Sequence, residues 1–420
     1  MMADGMDDMG AGVTRRGLLR GAALAAAAAP AAVSAAAGRA PGAGLRGELL
    51  LDPGLLYFNA ANIAPTFRGV IDVQEKELRA FQANPSREYR EKYPVAADRL
   101  RARLGKRLGV TAEEIALLRN SSEANTVAVL GLDLKPGDEV IVTEHNHQST
   151  LDSWKLRARR EGLALKVLPT PHAATSPQAV ADDFARAASP RTKAIFLSHV
   201  TNVTGLLYPI PAIAEVARKS GAWLHVDGAQ TFGWMRLDLP ALGVDSYAGS
   251  THKWMMGPLE AGLLHVRRDR QDALNPTMLS HGYWLTDTRN METAQRYEIL
   301  GQRDDPKLEA VEAALDRLDA LGEGWIESET RARAAEMRRI LAGVKGAKLV
   351  GSGDPALSGA IITVAFPGRD VGAMRARLWK EHRLACAQAA AGGDALIRFS
   401  PHIYNSRDEM ERVADLLVRA

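Results

Sequence analysis

The chain has a single cysteine, Cys386, in 420 residues. One thiol excludes an intrachain disulfide and any cysteine-based metal cluster, so a hydrophobic core has to hold the fold. A chain of this length buries enough surface to do so. An excess of charge of one sign is also missing: 53 lysines and arginines face 50 aspartates and glutamates, with the cations scattered. No basic stripe therefore points to nucleic acid. There is no internal repeat and, beyond the N-terminus, no low-complexity segment. No G-x-G-x-x-G follows a strand-like run, which argues against a nucleotide-binding Rossmann protein. What is present, 46% hydrophobic and 25% charged residues, describes an ordinary soluble globular protein.

The N-terminus departs from that average. "TRRGLLRGAALAAAAAPAAVSAAAG" sets Arg15 and Arg16 before a weakly apolar Ala/Gly run and small residues suited to A-x-A cleavage. This is the order of a twin-arginine (Tat) export signal. Alanine is too weakly hydrophobic for the run to hold a membrane span well. The expectation is a signal over residues 1–37, cut after Ala35 or Ala37. The Tat machinery would then deliver the folded chain to the periplasm or another exported location, which suits an enzyme that acquires its cofactor first.

From about residue 110, strand-like runs ("EIALL", "EVIVTE", "LALKVLP", "KAIFLSH", "AWLHVD") alternate with helical ones. That rhythm predicts an α/β fold with a mostly parallel sheet covered by helices on both faces. Two long amphipathic stretches, "DDPKLEAVEAALDRLDALG" and "GWIESETRARAAEMRRILAG", bridge to a smaller unit. The predicted division is an N-terminal arm and large domain over 45–300, then bridging helices and a small α+β domain over 301–420.

In open parallel sheets ligands sit at the carboxyl ends of the strands. Asp227 follows "AWLHV", with Gln230 three residues on, and Asn202 follows "KAIFLSHVT". Ser121 and Ser122 stand at a strand-to-helix junction, where hydroxyls and amides make a phosphate cradle. Taken singly, each has an ordinary use as a cap or turn residue. Lys253, in "GSTHKWMMGP", lies between apolar runs and follows Ser250 and His252. Together these are the groups that pyridoxal phosphate needs. The lysine forms a Schiff base, its buried setting favouring a neutral amine. The aspartate keeps the pyridine nitrogen protonated, so that the ring accepts electrons.

"SSEANTVAVLGL", "SHVTNVTG", "HVDGAQ", "GSTHKWMMGP" and "IRFSPHIYN" resemble the motifs of class V aminotransferases, which are fold type I pyridoxal-phosphate enzymes. The resemblance runs from "YFNAANIAP", near residue 57, to the C-terminus. It implies Lys253 as the Schiff-base lysine, with Ser121, Ser122, Ser250 and His252 on the phosphate. Asp227 would meet the pyridinium nitrogen, and Gln230 and Asn202 the ring hydroxyl. Arg398, with Asn59, would bind the substrate, the guanidinium taking its α-carboxylate. The family places an aromatic or histidine on the ring after the strand that reads "EVIVTE" here. His147 fits best and His145 is the runner-up. As a metal site this His-x-His lacks a third ligand at suitable spacing. In "YEILGQRDD", Gly301-Gln302 stands where the family has a Gly-Thr pair reaching the neighbouring subunit's phosphate, which implies a homodimer with shared active sites. "SPHxYN" and "GxRD" point to the isopenicillin N epimerase-like branch, acting at the Cα of an amino acid or amino-acid-containing metabolite through an external aldimine. Epimerase, aminotransferase and lyase chemistries all begin that way. Two alternatives stand beside it. One is a desulfurase or selenocysteine-lyase type using Cys386, although the "CAQAAAGGDALIR" loop is short and lacks the His-Cys context. The other is a non-catalytic protein that merely holds the cofactor.

If the arginine pair is an export signal, changing Arg15 and Arg16 together to lysine keeps the charge but loses guanidinium-specific recognition. Fractionation should then find folded, cofactor-loaded protein retained in the cytoplasm. Unchanged export would rule this signal out.

Overall fold

Runs such as Glu139–Thr143 (EVIVT) and Trp223–Asp227 (WLHVD) are buried along their whole length. A strand with no solvent face belongs inside a sheet covered on both sides. The computed structural model describes residues 44–171, 176–280 and 292–420; the expected export signal lies outside them.

In chain order, β1 is Leu56–Tyr57, β2 Ile115–Leu118, β3 Glu139–Thr143, β4 Ala164–Leu168 and β5 Thr192–Ser198. Then come β6 Trp223–Asp227, β7 Ser246–Ser250 and β8 Gly262–Val266. Strands β2 to β8 form one sheet in the order β2-β8-β7-β6-β5-β3-β4. Only β8 runs against its neighbours; the other pairings are parallel. The parallel crossovers are made by helices, among them Gln148–Glu161, Pro177–Ala187 and Ile210–Ser220. Each presents apolar residues to the sheet, for example Ile210, Ile213 and Ala217. Two left-handed glycines, Gly162 and Gly221, end the first and third of these helices.

The two long helices expected from the sequence span Lys307–Leu321 and Glu323–Ala342. Beyond them lie β9 Lys348–Val350, β10 Ile362–Ala365, β11 Leu384–Ala385, β12 Ala387–Ala391 and β13 Asp394–Phe399. An antiparallel sheet is built in the order β12-β13-β10-β9. β9 was not expected, whereas the chain at Cys386, next to β12, reads as the start of a strand. The β12 sequence, AQAAA, has little intrinsic strand preference, and its five-residue ladder with β13 imposes the conformation. The N-terminal arm returns to this region. β1 pairs in parallel with β11, and Asn59 bridges to Ser400 just past β13.

Two glycines set how closely the elements around the strand ends approach. A Cβ on Gly262 would lie 2.8 Å from the Asn120 Cα, so glycine lets the start of the Ser121–Gly131 helix sit against β8. At Gly228, directly after β6, a Cβ would fall 1.8 Å from the Tyr247 ring carbon that bears the hydroxyl. That phenol is fully buried and bonded to Thr231 at 2.9 Å and to the Gly228 carbonyl at 3.3 Å. It has nowhere to go. Gly228→Ala should therefore lower stability by about 3 kcal/mol, at the upper end for an overpacked core. Thermal unfolding should show the loss, and a second change, Tyr247→Val, should recover part of it. Wild-type stability in the single variant would refute the packing argument.

Candidate active site

Asp227 ends β6, Ser198 ends β5 in register with it, and Ser250 ends the neighbouring β7. Parallel strands bring these ends to one rim, where the segments that follow meet. Asp227 is 5% exposed. One carboxylate oxygen accepts from the Asn125 amide at 2.9 Å and the other from the Ala229 N–H at 2.9 Å. It caps no helix, because turns follow it.

The Lys253 loop is pinned on both sides. The Thr251 hydroxyl lies 2.6 Å from the Pro258 carbonyl and 3.0 Å from that of Ala261, while Thr251's own carbonyl takes the Gly257 N–H at 2.9 Å. Ala64 donates to the His252 carbonyl at 2.8 Å. Met256 adopts a left-handed φ of 53°, a costly conformation that these bonds hold in place. No described residue forms a hydrogen bond with the Lys253 ammonium. Burial pushes its pKa down; the Asp227 charge opposes this and Arg398 adds to it. The net shift is toward the neutral amine.

Across the rim, the Ser121–Gly131 helix opens with its Asn120 cap. Ser250 Oγ accepts the Ser121 N–H at 2.7 Å and lies 2.9 Å from Ser121 Oγ. Ser122 Oγ is 3.4 Å from Ser149 Oγ, which is 2.8 Å from His147 Nδ1. Hydroxyls gathered at a helix N-terminus suit an anion. His252 Nδ1 is buried with no partner, and burial, then Lys253, lowers that ring's pKa to about 4.

His147 lies within reach of the same charges. Burial lowers its pKa most, Asp227 raises it, and Lys253 and Arg398 lower it. Its Nδ1 accepts the Ser149 N–H at 3.3 Å, so the neutral ring carries its proton on Nε2. His145 sits beside Glu144 instead, at 3.7 Å. Among the described residues no cluster of three His, Cys, Asp or Glu could hold a metal ion.

Arg398, on β13, donates to the Asn202 carbonyl at 2.7 Å and to Asn59 Oδ1 at 3.2 Å. Its Nε is buried and unpartnered. Burial lowers its pKa to about 10. A guanidinium held by neutral acceptors, with a donor to spare, is a receptor for a carboxylate. Asn202 thus serves Arg398 through its backbone. Gln230 takes the Trp254 indole N–H at 2.8 Å and gives one amide proton to the Ala61 carbonyl at 2.9 Å. One proton remains for a ligand.

Two residues weighed in the sequence lie apart from these groups. Gln302 is exposed and its amide oxygen faces Arg90 at 3.5 Å, so it does not join the serine cradle of its own chain. Cys386 is 6% exposed between β11 and β12, and burial pushes its thiol up to about 12. Asn125 and Ser149 have contacts to which the sequence reading assigned no role. Asn125 stands four residues after Ser121, hence on the same helix face, and that spacing could have flagged it.

The groups left without partners, His252 Nδ1, Arg398 Nε and the Lys253 amine, fit pyridoxal phosphate together with a carboxylate-bearing substrate. Comparisons agree with that fit. The aminotransferase class-V family model matches residues 56–413. The isopenicillin N epimerase of Amycolatopsis lactamdurans is 32% identical over 388 residues, 89% of this chain and 97% of that one. The enzyme of that name from Streptomyces clavuligerus is 30% identical over 383 residues, 89% and 96%. Among solved structures, an apo cysteine desulfurase from Thermococcus onnurineus NA1 has a TM-score of 0.80 at 22% identity, covering 91% of this chain and 98% of that one. A C-DES variant with glycine covalently linked to its pyridoxal-phosphate cofactor has a TM-score of 0.79 at 22% identity, covering 87% and 96%. These two likenesses concern the fold.

A buried thiol with a raised pKa is a poor nucleophile. Cys386→Ser should leave cofactor binding and turnover within about twofold and lower stability by roughly 1 kcal/mol, the cost of a buried hydroxyl. Loss in the variant of a cysteine-dependent sulfide release present in the wild type would reverse this assignment.

Proposed function

The chain belongs to the aminotransferase class-V family and takes pyridoxal phosphate as its cofactor; on that premise we propose that it acts at the Cα of an amino acid or amino-acid-containing metabolite, as an isopenicillin N epimerase-like enzyme. The observation that carries this reading is Arg398, a buried cation with an unpaired donor, whose charge acts on both Lys253 and His147. An α-carboxylate held there leaves the neighbouring Cα to the amine. The alternative, a desulfurase-type C–S lyase with Cys386 as the persulfide-forming nucleophile, has a thiol of the wrong protonation state.

When bound, pyridoxal phosphate supplies an electron sink for the pair released at Cα. Ser121, Ser122, Ser250 and His252 hold its phosphate, with the helix dipole adding to their donors. Asp227 holds the proton at the pyridine nitrogen. Gln230 would donate its remaining amide proton to the ring hydroxyl, with Asn202 beside it, and His147 would cover the ring. Arg398 orients the substrate, with Asn59 fixing the guanidinium. Lys253, whose charged form burial disfavours, accepts the Cα proton at Nζ. The same reading includes a homodimer in which Gln302 serves the neighbouring subunit's phosphate, a large and a small domain meeting near residue 300, and export in folded form through the Arg15–Arg16 signal.

Borohydride reduction of the yellow enzyme should fix the cofactor within tryptic fragment 237–267, on Lys253. In D2O, a substrate amino acid should exchange its Cα hydrogen. Arg398→Leu should slow that exchange by about 100-fold or more while the cofactor stays bound, as expected for losing a charge-assisted bidentate contact. Label on another lysine, or undiminished exchange in Arg398→Leu, would overturn the proposal.

A further inference from the structure

Beneath Asp227 lies a run of buried polar groups. Trp223, His225 and Asp227 alternate along β6 and so share one face. Ser246, on β7, is the register partner of His225. The Trp223 indole N–H reaches Ser246 Oγ at 2.8 Å, and Ser246 Oγ is 2.7 Å from His225 Nδ1. His225 Nε2 is 2.8 Å from Asn125 Oδ1, and Asn125 Nδ2 is 2.9 Å from Asp227 Oδ2. Trp223, Ser246, His225 and Asn125 are each at most 2% exposed.

The direction of every bond follows from the two ends. An ionised carboxylate only accepts, so the Asn125 NH2 faces Asp227 and its carbonyl oxygen faces His225. That oxygen has no proton, so His225 Nε2 carries one. At the far end the indole only donates, so the Ser246 hydroxyl accepts there and passes its own proton toward His225 Nδ1. Burial lowers the His225 pKa to about 3, which leaves the ring neutral with one proton, the number this chain requires. Phe196 stacks on the imidazole at 4.6 Å and meets Trp154 edge-on at 4.9 Å, so the ring cannot turn.

We infer that Trp223, Ser246, His225 and Asn125 form a one-way hydrogen-bond relay whose donors all point at Asp227, and that they are positioning residues for the contact between Asp227 and the cofactor's ring nitrogen. Aligned bonds polarise one another, so the last one, Asn125 to Asp227, is strengthened by those behind it. The charged and titratable groups around Asp227, namely His147, Lys253, Arg398 and Tyr247, lie outside the relay. A set of buried polar groups costs more than apolar packing unless each is satisfied. Here each is satisfied in one direction only. The inference rests on the assignment of Asp227 to the ring nitrogen, and the test separates the two.

The test uses the full-length holoenzyme labelled with 15N-histidine, and His225→Phe to identify the resonances. His225 should show a proton on Nε2 alone, unchanged from acid to alkaline pH. A proton on Nδ1, or a doubly protonated ring, would overturn the relay. The second measurement is the pH midpoint of the bound cofactor's visible absorption. Positive charge on the ring lowers the basicity of the nitrogen that Lys253 contributes, so a weakened Asp227 contact raises the midpoint. Asn125→Leu should raise it by about one unit, the scale of a lost charge partner, and loosen cofactor binding about tenfold. Trp223→Phe, which removes only the most distant donor, should shift it less than half as far. A purely structural role would lower stability without moving the midpoint, and a shift under about 0.2 unit in both variants would defeat the inference. Should Asn125→Leu fail to fold, Trp223→Phe and the unaltered protein's tautomer decide. Asp227→Asn serves as the reference: a wild-type midpoint there would remove the assignment of Asp227 itself, and the tautomer alone would then judge the relay.

Discussion

A carboxylate at the end of a strand buried on both faces is the constraint around which the site is arranged. Asp227 cannot reach bulk water, and an uncompensated charge at that depth costs several kcal/mol. Donors therefore have to be brought to it. One comes from its own chain two residues on, the Ala229 amide, and the other from Asn125 on the Ser121–Gly131 helix. Placing Asn125 there also places the start of that helix, one turn earlier, against Ser250 at the end of β7. The phosphate cradle and the aspartate are thus two ends of one helix docking event.

Burial lowers the proton affinity of both Lys253 and Arg398, and the Arg398 charge lowers that of Lys253 further. The donors of this site are left incompletely partnered until anions arrive. A phosphate at the serines and a carboxylate at Arg398 bring the negative charge that pairs with them, so ligands that bind the folded chain also stabilise it. The buried atoms without partners, His252 Nδ1 and Arg398 Nε, lie where that charge is needed. This is why the same residues are awkward as structure and sensible as a receptor.

Much of this was legible in the sequence because α/β folds give strand ends a special status. Asp227, Asn202 and Ser121 could be picked out from their place after apolar runs, and Lys253 from sitting between two such runs. The long helices followed from their periodicity. What sequence could not show were links between distant segments. Asn125 and Asp227 are 102 positions apart, and nothing local to Asn125 says that its amide turns toward β6. His225 reads as an ordinary core residue until Ser246 and Asn125 are found on its two nitrogens. The extent of β12 is not written in AQAAA itself, because its conformation is imposed by its partner strand. Gln302 was placed by likeness to a contact between subunits, which a single chain does not contain.

The two halves of the site differ in what holds them. The cradle of Ser121 and Ser250 and the Asp227 relay belong to the large sheet and the helix packed on it. Arg398 instead depends on three segments that meet only in the folded chain. β13 carries it, the loop after β5 offers the Asn202 carbonyl, and the N-terminal arm brings Asn59. Backbone bonds fasten that arm. Phe58 donates to Ala385 at 2.9 Å and accepts from Ser400 at 2.9 Å, and Ala61 donates to Ser400 Oγ at 3.0 Å. Loosening the arm would free one side of the guanidinium, and it would also release the Ala64 bond to the His252 carbonyl and the Ala61 acceptor of Gln230. Grip on the substrate carboxylate and the setting of the Lys253 loop therefore share the arm. The part that meets the substrate is assembled from the chain's beginning, middle and end.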